Sequence, residues 1–179
     1  DEVTGPELTS VGIEGPDGSV VLSRGEADAW AVNGYRAEQA AVTTFLSAVT
    51  ATTVGELVAA NPANHARMGV DDDSAIHATF VTERGERTLL VGQSGRRFQT
   101  EYVRTPGADE VYLMEGRLGS ELRKDEAAWR DRTMASIDST SVSRIVVSGY
   151  RSYTLLSGDS TWLLEDGGEV EASPANGIL

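Results

Sequence analysis

The sequence has no cysteine, a single lysine and only two histidines among its 179 residues. Without cysteine the chain can form neither a disulfide nor a thiolate metal site, which fits an oxidising compartment. No run of about 18 apolar residues occurs, so we expect no membrane-spanning helix within this chain. No signal-peptide pattern is visible. Because the first residue is Asp1 rather than methionine, we expect that an upstream segment, a signal or a membrane anchor, has been removed.

Recognisable reaction chemistry is missing as well. No nucleophile elbow, phosphate-binding loop or dinucleotide fingerprint is present. His65, expected in an exposed helical turn, and His77, expected on a strand, have no ligand spacing around them. The acidic run 71–73 lacks the alternating acids and the distal glutamate of a calcium loop, and it is better explained as a solvated turn. We therefore predict no catalytic, cofactor-binding or metal-binding residues, and a protein that is not an enzyme.

The formal net charge of −13 is concentrated at the two ends of the chain. Residues 1–30 carry seven acids and one base, and residues 158–179 carry five acids and no base. Such a field repels phosphate groups, so we expect neither nucleic acid nor an anionic lipid surface as a partner. The plainer interpretation of this acidity is a set of solvated faces that keep the protein soluble.

The first third of the chain predicts three strands followed by a helix. Alternating apolar residues around Val11 and Val20, separated by the turn signal 15–18, predict two strands. Trp30 belongs to the third strand as its large buried anchor. From 36 to about 50 the apolar residues recur at helical spacing, and we expect this stripe to pack against the sheet.

The middle of the chain predicts further antiparallel strands in series. A short strand around 53–58 is followed by a helical turn that begins after Asn61 and ends at Gly69. Four more strands follow, joined by turns at hairpin spacing. These strands are 75–81, 87–91, 97–103 and 111–114.

After a linker rich in serine and threonine, 135–140, the chain repeats its opening pattern and again reaches a tryptophan, Trp162. We predict two domains: 8–134 as a first α+β repeat unit, and 141–179 as a partial second unit, a three-strand meander that could pack onto the first. The predicted fold class is α+β, with antiparallel sheet meanders packed on one main helix plus short helices and a partial internal repeat. The exposed strands of the unfinished second unit predict edge pairing and hence a homodimer.

The densest polar and aromatic cluster is the tetrapeptide Trp129-Arg130-Asp131-Arg132. Tryptophan and arginine dominate interaction hot spots, so Trp129, Arg130 and Arg132 are candidates for docking a partner. The favoured alternative is structural: Trp129 closes the core, while Arg130, Asp131 and Arg132 hold the linker through ion pairs.

The order of these features resembles the domain-of-unknown-function family 4340, bacterial accessory proteins found beside ABC-type transporters. The resemblance covers about residues 8–165. The matching pieces are Trp30 ending a meander, the helix 39–49, Met68-Gly69-Val70 followed by acids, Tyr102-Val103, Val111-Tyr112-Leu113 and the tetrapeptide that begins at Trp129. Met68 departs from the aromatic residue usual in the family. The resemblance implies an N-terminal membrane anchor, an extracytoplasmic position, tandem repeats and no established activity or catalytic residues.

The function that we expect is therefore a non-enzymatic, extracytoplasmic accessory or binding module of a membrane ABC-type transport complex. Its partners would be proteins, the membrane subunits of the transporter, and it would be anchored to the cytoplasmic membrane through a segment absent from this chain. Two alternatives stay open. One is a carboxylate-dependent hydrolase, which needs two acids in an apolar cleft with separated pKa values. The other is a purely structural spacer domain.

Overall fold

The computed structural model describes residues 7–16, 18–133, 141–150, 152–158 and 162–166. The chain divides into two compact units, with the division between Arg132 and Thr133. The predicted linker 135–140 lies outside the described residues.

The first unit is built on one antiparallel sheet of nine strands. The strands are β1 Leu8–Gly15, β2 Gly18–Arg24, β3 Trp30–Val32, β4 Tyr35–Arg36, β5 Thr53–Ala59, β6 Ile76–Thr82, β7 Gly85–Ser94, β8 Thr100–Arg104 and β9 Val111–Glu115. Their order across the sheet is β4-β3-β2-β1-β6-β7-β8-β9-β5. Most neighbours are consecutive in the chain, but β1 pairs with β6, and β5 crosses to the far edge beside β9.

The helices of the first unit are few and mostly short. They are α1 Gln39–Ala51, α2 His65–Met68, α3 Leu118–Leu122 and α4 Glu126–Trp129. The helical turn predicted between Asn61 and Gly69 is confirmed: the Asn61 side chain accepts a hydrogen bond from the Ala63 amide, and Gly69 has a φ of 66°. Among the described residues, no helix combines the length and the hydropathy that a membrane crossing requires.

The hydrophobic core joins α1 to one face of the sheet. Val42, Phe45 and Val49 form the buried stripe of α1, and they belong to the same buried cluster as the inward residues of β1, β2 and β3. Trp30 is 4% exposed, so the predicted aromatic anchor of the opening meander is confirmed. Burial of one valine, leucine, isoleucine or phenylalanine side chain contributes about 1.5–3 kcal/mol, so this buried cluster is a main source of stability for the first unit.

The predicted α+β class is wrong, because the protein is mostly β. One continuous nine-stranded antiparallel sheet and a separate three-stranded sheet make up the described fold, rather than meanders packed on a main helix. The error has a physical origin. The turns that separate strands are local signals, whereas the pairs β1–β6 and β5–β9, which join the meanders into one sheet, connect strands that lie far apart in the chain.

The second unit contains three antiparallel strands. They are β10 Arg144–Val147, β11 Tyr153–Ser157 and β12 Trp162–Leu164. Leu155 is 2% exposed and is the buried apolar residue of the central strand.

The opening meander and the second unit pair their strands in the same register. In each, a tryptophan begins the third strand. The apolar residue two positions after it pairs with an apolar residue of the second strand, which pairs in turn with an apolar residue of the first. These paired sets are Val11–Leu22–Val32 and Ile145–Leu155–Leu164. A shared register is what a duplicated meander would show, and the duplication itself stays a prediction. Residues 167–179, the end of the predicted second unit, lie outside the described residues.

Candidate binding surface

The tetrapeptide that begins at Trp129, a candidate for docking, is divided between the core and the surface of the first unit. The Asp125 side chain caps α4 by accepting a hydrogen bond of 2.9 Å from the Ala128 amide. The helix then turns Trp129 inward, where its ring is fully buried and meets Phe45 edge-on at 5.5 Å between centroids. The Lys124 ammonium lies 5.1 Å from the centre of the Trp129 ring. The Trp129 side chain therefore belongs to the core.

The charged members of the tetrapeptide have partners within the first unit. The Arg130 guanidinium lies 3.6 Å from the ring centre of Tyr35, and Asp131 pairs with Arg36 at 3.1 Å. Arg132 donates a hydrogen bond of 2.9 Å to the carbonyl oxygen of Ala127. These contacts agree with the structural interpretation of the motif. Docking at Arg130 and Arg132 stays a prediction.

The two histidines bond to backbone carbonyls. His65 was predicted to be exposed, but it is buried. Its Nε2 lies 3.0 Å from the carbonyl oxygen of Asp109. His77 lies on β6, and its Nε2 is 2.9 Å from the carbonyl oxygen of Asp72. Within the part of the chain that the structure describes, no three His, Asp or Glu side chains are grouped so that they could hold a metal ion.

The acidic run beside β6 stabilises its own turn. Asp71 accepts hydrogen bonds from the hydroxyl and the backbone amide of Ser74, and the bond from the Ser74 side chain does most to lower the pKa of Asp71. Asp72 pairs at 2.9 Å with the buried Arg104 of β8. Arg104 also donates to the carbonyl oxygen of Val70 at 2.8 Å, so these acids help to hold the loop against the sheet.

Glu101 on β8 is a buried carboxylate that the sequence analysis did not single out. Its Oε1 lies 3.6 Å from Nη1 of Arg123, and its Oε2 has no hydrogen-bond partner. Burial raises the pKa of Glu101, and the charge of Arg123 opposes this shift. The carboxylate is packed against Gly119 of α3, where a Cβ atom would overlap it. Glu101 and the buried Val103 share one face of β8, but the other face also carries buried residues, so alternation alone does not reveal a buried acid.

A set of exposed apolar side chains lies at one end of the nine-stranded sheet. Val54 and Leu57 of β5 are 54% and 51% exposed, and Phe98 in the turn between β7 and β8 is 90% exposed. Thr53 and Thr100 are both partners of Glu115 on β9. The start of β5 and the Phe98 turn therefore lie at the same end of the sheet. We call Val54, Leu57 and Phe98 the exposed apolar edge.

The strand β5 forms an open edge of the sheet. It is seven residues long, and no strand in the described part of the chain pairs with its outer side. The opposite edge strand, β4, has only two residues. Natural sheets protect their edges by shortness, charge or bulges. β4 is short enough to be protected, whereas β5 has Glu56 and two register irregularities but remains long enough to pair with another strand.

A groove of about 610 Å³ with basic walls lies beside β5. Tyr102 and Leu113, which face each other on β8 and β9, contribute to its lining. Three arginines also line it: Arg67, Arg96 and Arg97. Apolar and cationic groups thus meet in one concave surface, a composition suited to a ligand with both apolar and acidic groups. We call it the basic groove.

The cations of the basic groove are only partly neutralised. Arg97 bonds to Glu56 at 3.3 Å and to Glu115 at 3.2 Å. Arg67 donates to a neutral amide at 2.9 Å, and among the described residues Arg96 has no acidic partner. The lining holds three bases and one acid, a formal charge of +2, in a chain whose net charge is −13. The groove is therefore a locally positive surface on a protein whose net charge is negative.

This surface was not among the predictions, although one part of it has a signal in the sequence. The turn between β7 and β8 contains Arg96-Arg97-Phe98, two cations and a large aromatic residue in a position that hairpin turns usually give to small polar residues. What could not be seen was the position of β5 next to that turn, because β5 precedes it by about forty residues.

The fold and the surface define a β-rich domain with an open sheet edge, a basic groove and a buried carboxylate. The chain belongs to the family described as Domain of unknown function (DUF4340), whose model matches residues 30–177. The resemblance predicted from the sequence is thereby confirmed at the level of the family. No curated protein and no solved structure matches the chain.

Proposed function

We propose that this protein is a non-enzymatic binding module that docks a partner protein outside the cytoplasm, as a membrane-anchored accessory of an ABC-type transport complex. The exposed apolar edge is the observation that carries the docking part of this proposal. The transporter, the anchor and the compartment are supported by the family resemblance, and the absence of cysteine is compatible with that compartment.

The exposed apolar edge can supply a useful part of a binding free energy. Complete burial of one large apolar side chain contributes about 1.5–3 kcal/mol, and Val54, Leu57 and Phe98 are each about half exposed or more. The three together can therefore contribute about 3–6 kcal/mol. Micromolar affinity needs about 8 kcal/mol, so a partner must use more of this surface than its apolar side chains.

Photocrosslinking in cells tests the proposal at the level of single positions. A photoreactive phenylalanine analogue replaces Phe98 in the anchored full-length protein, and Tyr150, a fully exposed aromatic residue of the second unit, is the matched control. We expect the Phe98 probe to capture membrane subunits of a transporter and the Tyr150 probe to give different products or none. Identical products from both probes, or repeated failure at Phe98, would count against docking here.

The two alternative functions predict different results for other variants. A purely structural spacer would keep its function when Phe98 is replaced by serine, because nothing would dock there. A carboxylate-dependent hydrolase would lose its activity in a Glu101→Gln variant while partner capture through Phe98 stayed intact. Glu101 is packed against Gly119 of α3, which suits a structural role for this acid better than a catalytic one.

A further inference from the structure

We infer that the docked partner segment is an extended, acidic stretch of polypeptide that adds to the sheet as a strand along the open edge of β5. Its carboxylates meet the arginines of the basic groove. The inference rests on the proposed docking function and specifies the chemistry of the partner.

The open edge supplies a binding mode that depends on the main chain. Alternate residues of a regular edge strand direct their N–H and C=O groups outward, so β5, with its seven residues and two register irregularities, offers at most about three outward-facing residues for hydrogen bonding. An added strand satisfies these groups whatever its sequence, and its side chains then provide specificity by alternating between the two faces. These main-chain hydrogen bonds would supply the part of the binding free energy that the exposed apolar edge alone does not provide.

The turn that presents Phe98 has a defined backbone. Gln99 has a φ of 54°, a left-handed conformation that non-glycine residues rarely adopt. Its carbonyl oxygen accepts a hydrogen bond of 2.9 Å from the amide of Gly116, which ties the turn to the end of β9. Phe98 is thus presented to solvent from a turn tied to the end of β9, the strand that pairs with β5.

The charges of the basic groove select an acidic segment. Arg67 and Arg96 face the groove without an acidic partner among the described residues, so a carboxylate brought to them forms ion pairs without displacing existing ones. The surrounding chain carries −13, and screening limits the favourable attraction to about 8 Å at physiological salt. A short acidic segment fits this local patch, whereas an extended anionic membrane would meet repulsion from the rest of the protein.

A second copy of this chain fits the edge less well. Two β5 strands paired edge to edge would bring two basic grooves side by side, and the arginines of both copies would repel one another. The homodimer predicted from the strands of the second unit is a separate question and stays a prediction.

Binding of synthetic peptides tests the inference on the purified protein. The probe is a fluorescent peptide of about eight alternating valine and glutamate residues, a length sufficient to span β5. One control peptide has lysine in place of glutamate, and a second keeps the glutamates but is N-methylated at alternate amides, which blocks strand pairing. We expect anisotropy to show binding of the first peptide alone, with an affinity that falls as salt is raised.

Variants of single arginines test the groove separately from the edge. Arg96→Glu should weaken peptide binding by about tenfold, as expected when an attractive pair becomes a repulsive one. Arg87→Glu is the matched control, because Arg87 is an exposed arginine on β7 that does not line the groove. It should change the affinity by less than about twofold. Circular dichroism checks that both variants are folded.

Each contrary result has a defined meaning. Undiminished binding of the N-methylated peptide would overturn strand addition, and equal weakening by Arg87→Glu would overturn the role of the groove. If the protein binds anionic phospholipid vesicles through Phe98 but does not bind the peptide, the partner is a membrane rather than a peptide. If the protein self-associates in sedimentation and Val54→Lys abolishes this, the partner is a second copy of the chain. Loss of peptide binding with intact Phe98 crosslinking would reject only the acidic strand, whereas loss of the crosslinking would reject the docking function.

Discussion

Replacing Gly119 by alanine tests the contact between α3 and the buried carboxylate of Glu101. A Cβ atom at Gly119 would overlap that carboxylate, and Glu101 is only 9% exposed, so it must change rotamer within a packed region. Overpacking of this kind costs about 1–3 kcal/mol, while the better helix propensity of alanine returns about 1 kcal/mol. The two effects together predict that the free energy of unfolding falls by up to about 2 kcal/mol.

A second glycine gives the comparison in which the obstacle cannot rotate away. A Cβ atom at Gly92 would lie 2.6 Å from Cγ1 of Val70 and 2.9 Å from the carbonyl carbon of Gly69, and closer still to the carbonyl oxygen of Met68. Backbone atoms cannot adopt another rotamer, so the chain itself must move. Gly92→Ala should therefore cost about 3 kcal/mol or more, at the upper end of overpacking.

Urea unfolding followed by tryptophan fluorescence measures both changes. A Trp162→Phe background restricts the signal to the two tryptophans of the first unit. If the carboxylate is the obstacle, Gly119→Ala should cost nothing further in a Glu101→Ala protein, whereas Gly92→Ala should cost as much as before. An equal cost of Gly119→Ala with and without the Glu101 carboxylate would refute this reasoning.

Three further predictions concern pH, the core and the surface. Because burial raises the pKa of Glu101 above its ordinary 4.5, the folded state holds this proton more tightly, so stability should fall as pH rises through the raised pKa. Glu101→Gln should remove this fall, as urea titrations between about pH 4 and 8 would show. Trp129→Ala should cost about 3–5 kcal/mol in the same assay, and a loss below about 1 would contradict its role in the core. Phe98→Ser should change stability by less than about 0.5 kcal/mol, because 90% of Phe98 is already exposed.

Features with local causes could be predicted from the sequence. Asn61 followed by Pro62 indicates a helical start, and Gly69 ends that turn because glycine adopts positive φ without strain. The stripe of α1 and the buried Trp30 follow from periodicity and size, and the structure confirms both. Each of these signals involves residues within one or two turns of chain.

The candidate surface depended on contacts that no local pattern contains. The tetrapeptide around Trp129 had two interpretations, docking and a structural role, and the burial of the Trp129 ring against Phe45 of α1 agrees with the structural one that was favoured. His65 was expected in solvent, but it is covered by the chain near Asp109. Burial of a side chain depends on what packs over it, and in these cases the covering residues come from elements distant in sequence.

The sequence by itself determined the hairpins, the main helix, the family and the absence of thiol chemistry, because these depend on turn residues, periodicity and composition. Only the tertiary structure decided that the meanders join into a single sheet through β1–β6 and β5–β9, and that β5 is left at its edge. Strand pairing over long separations requires closure of a large loop and burial of a shared face. Neither requirement has a signature in the strands themselves, so the open edge and the basic groove beside it appear only in the folded chain.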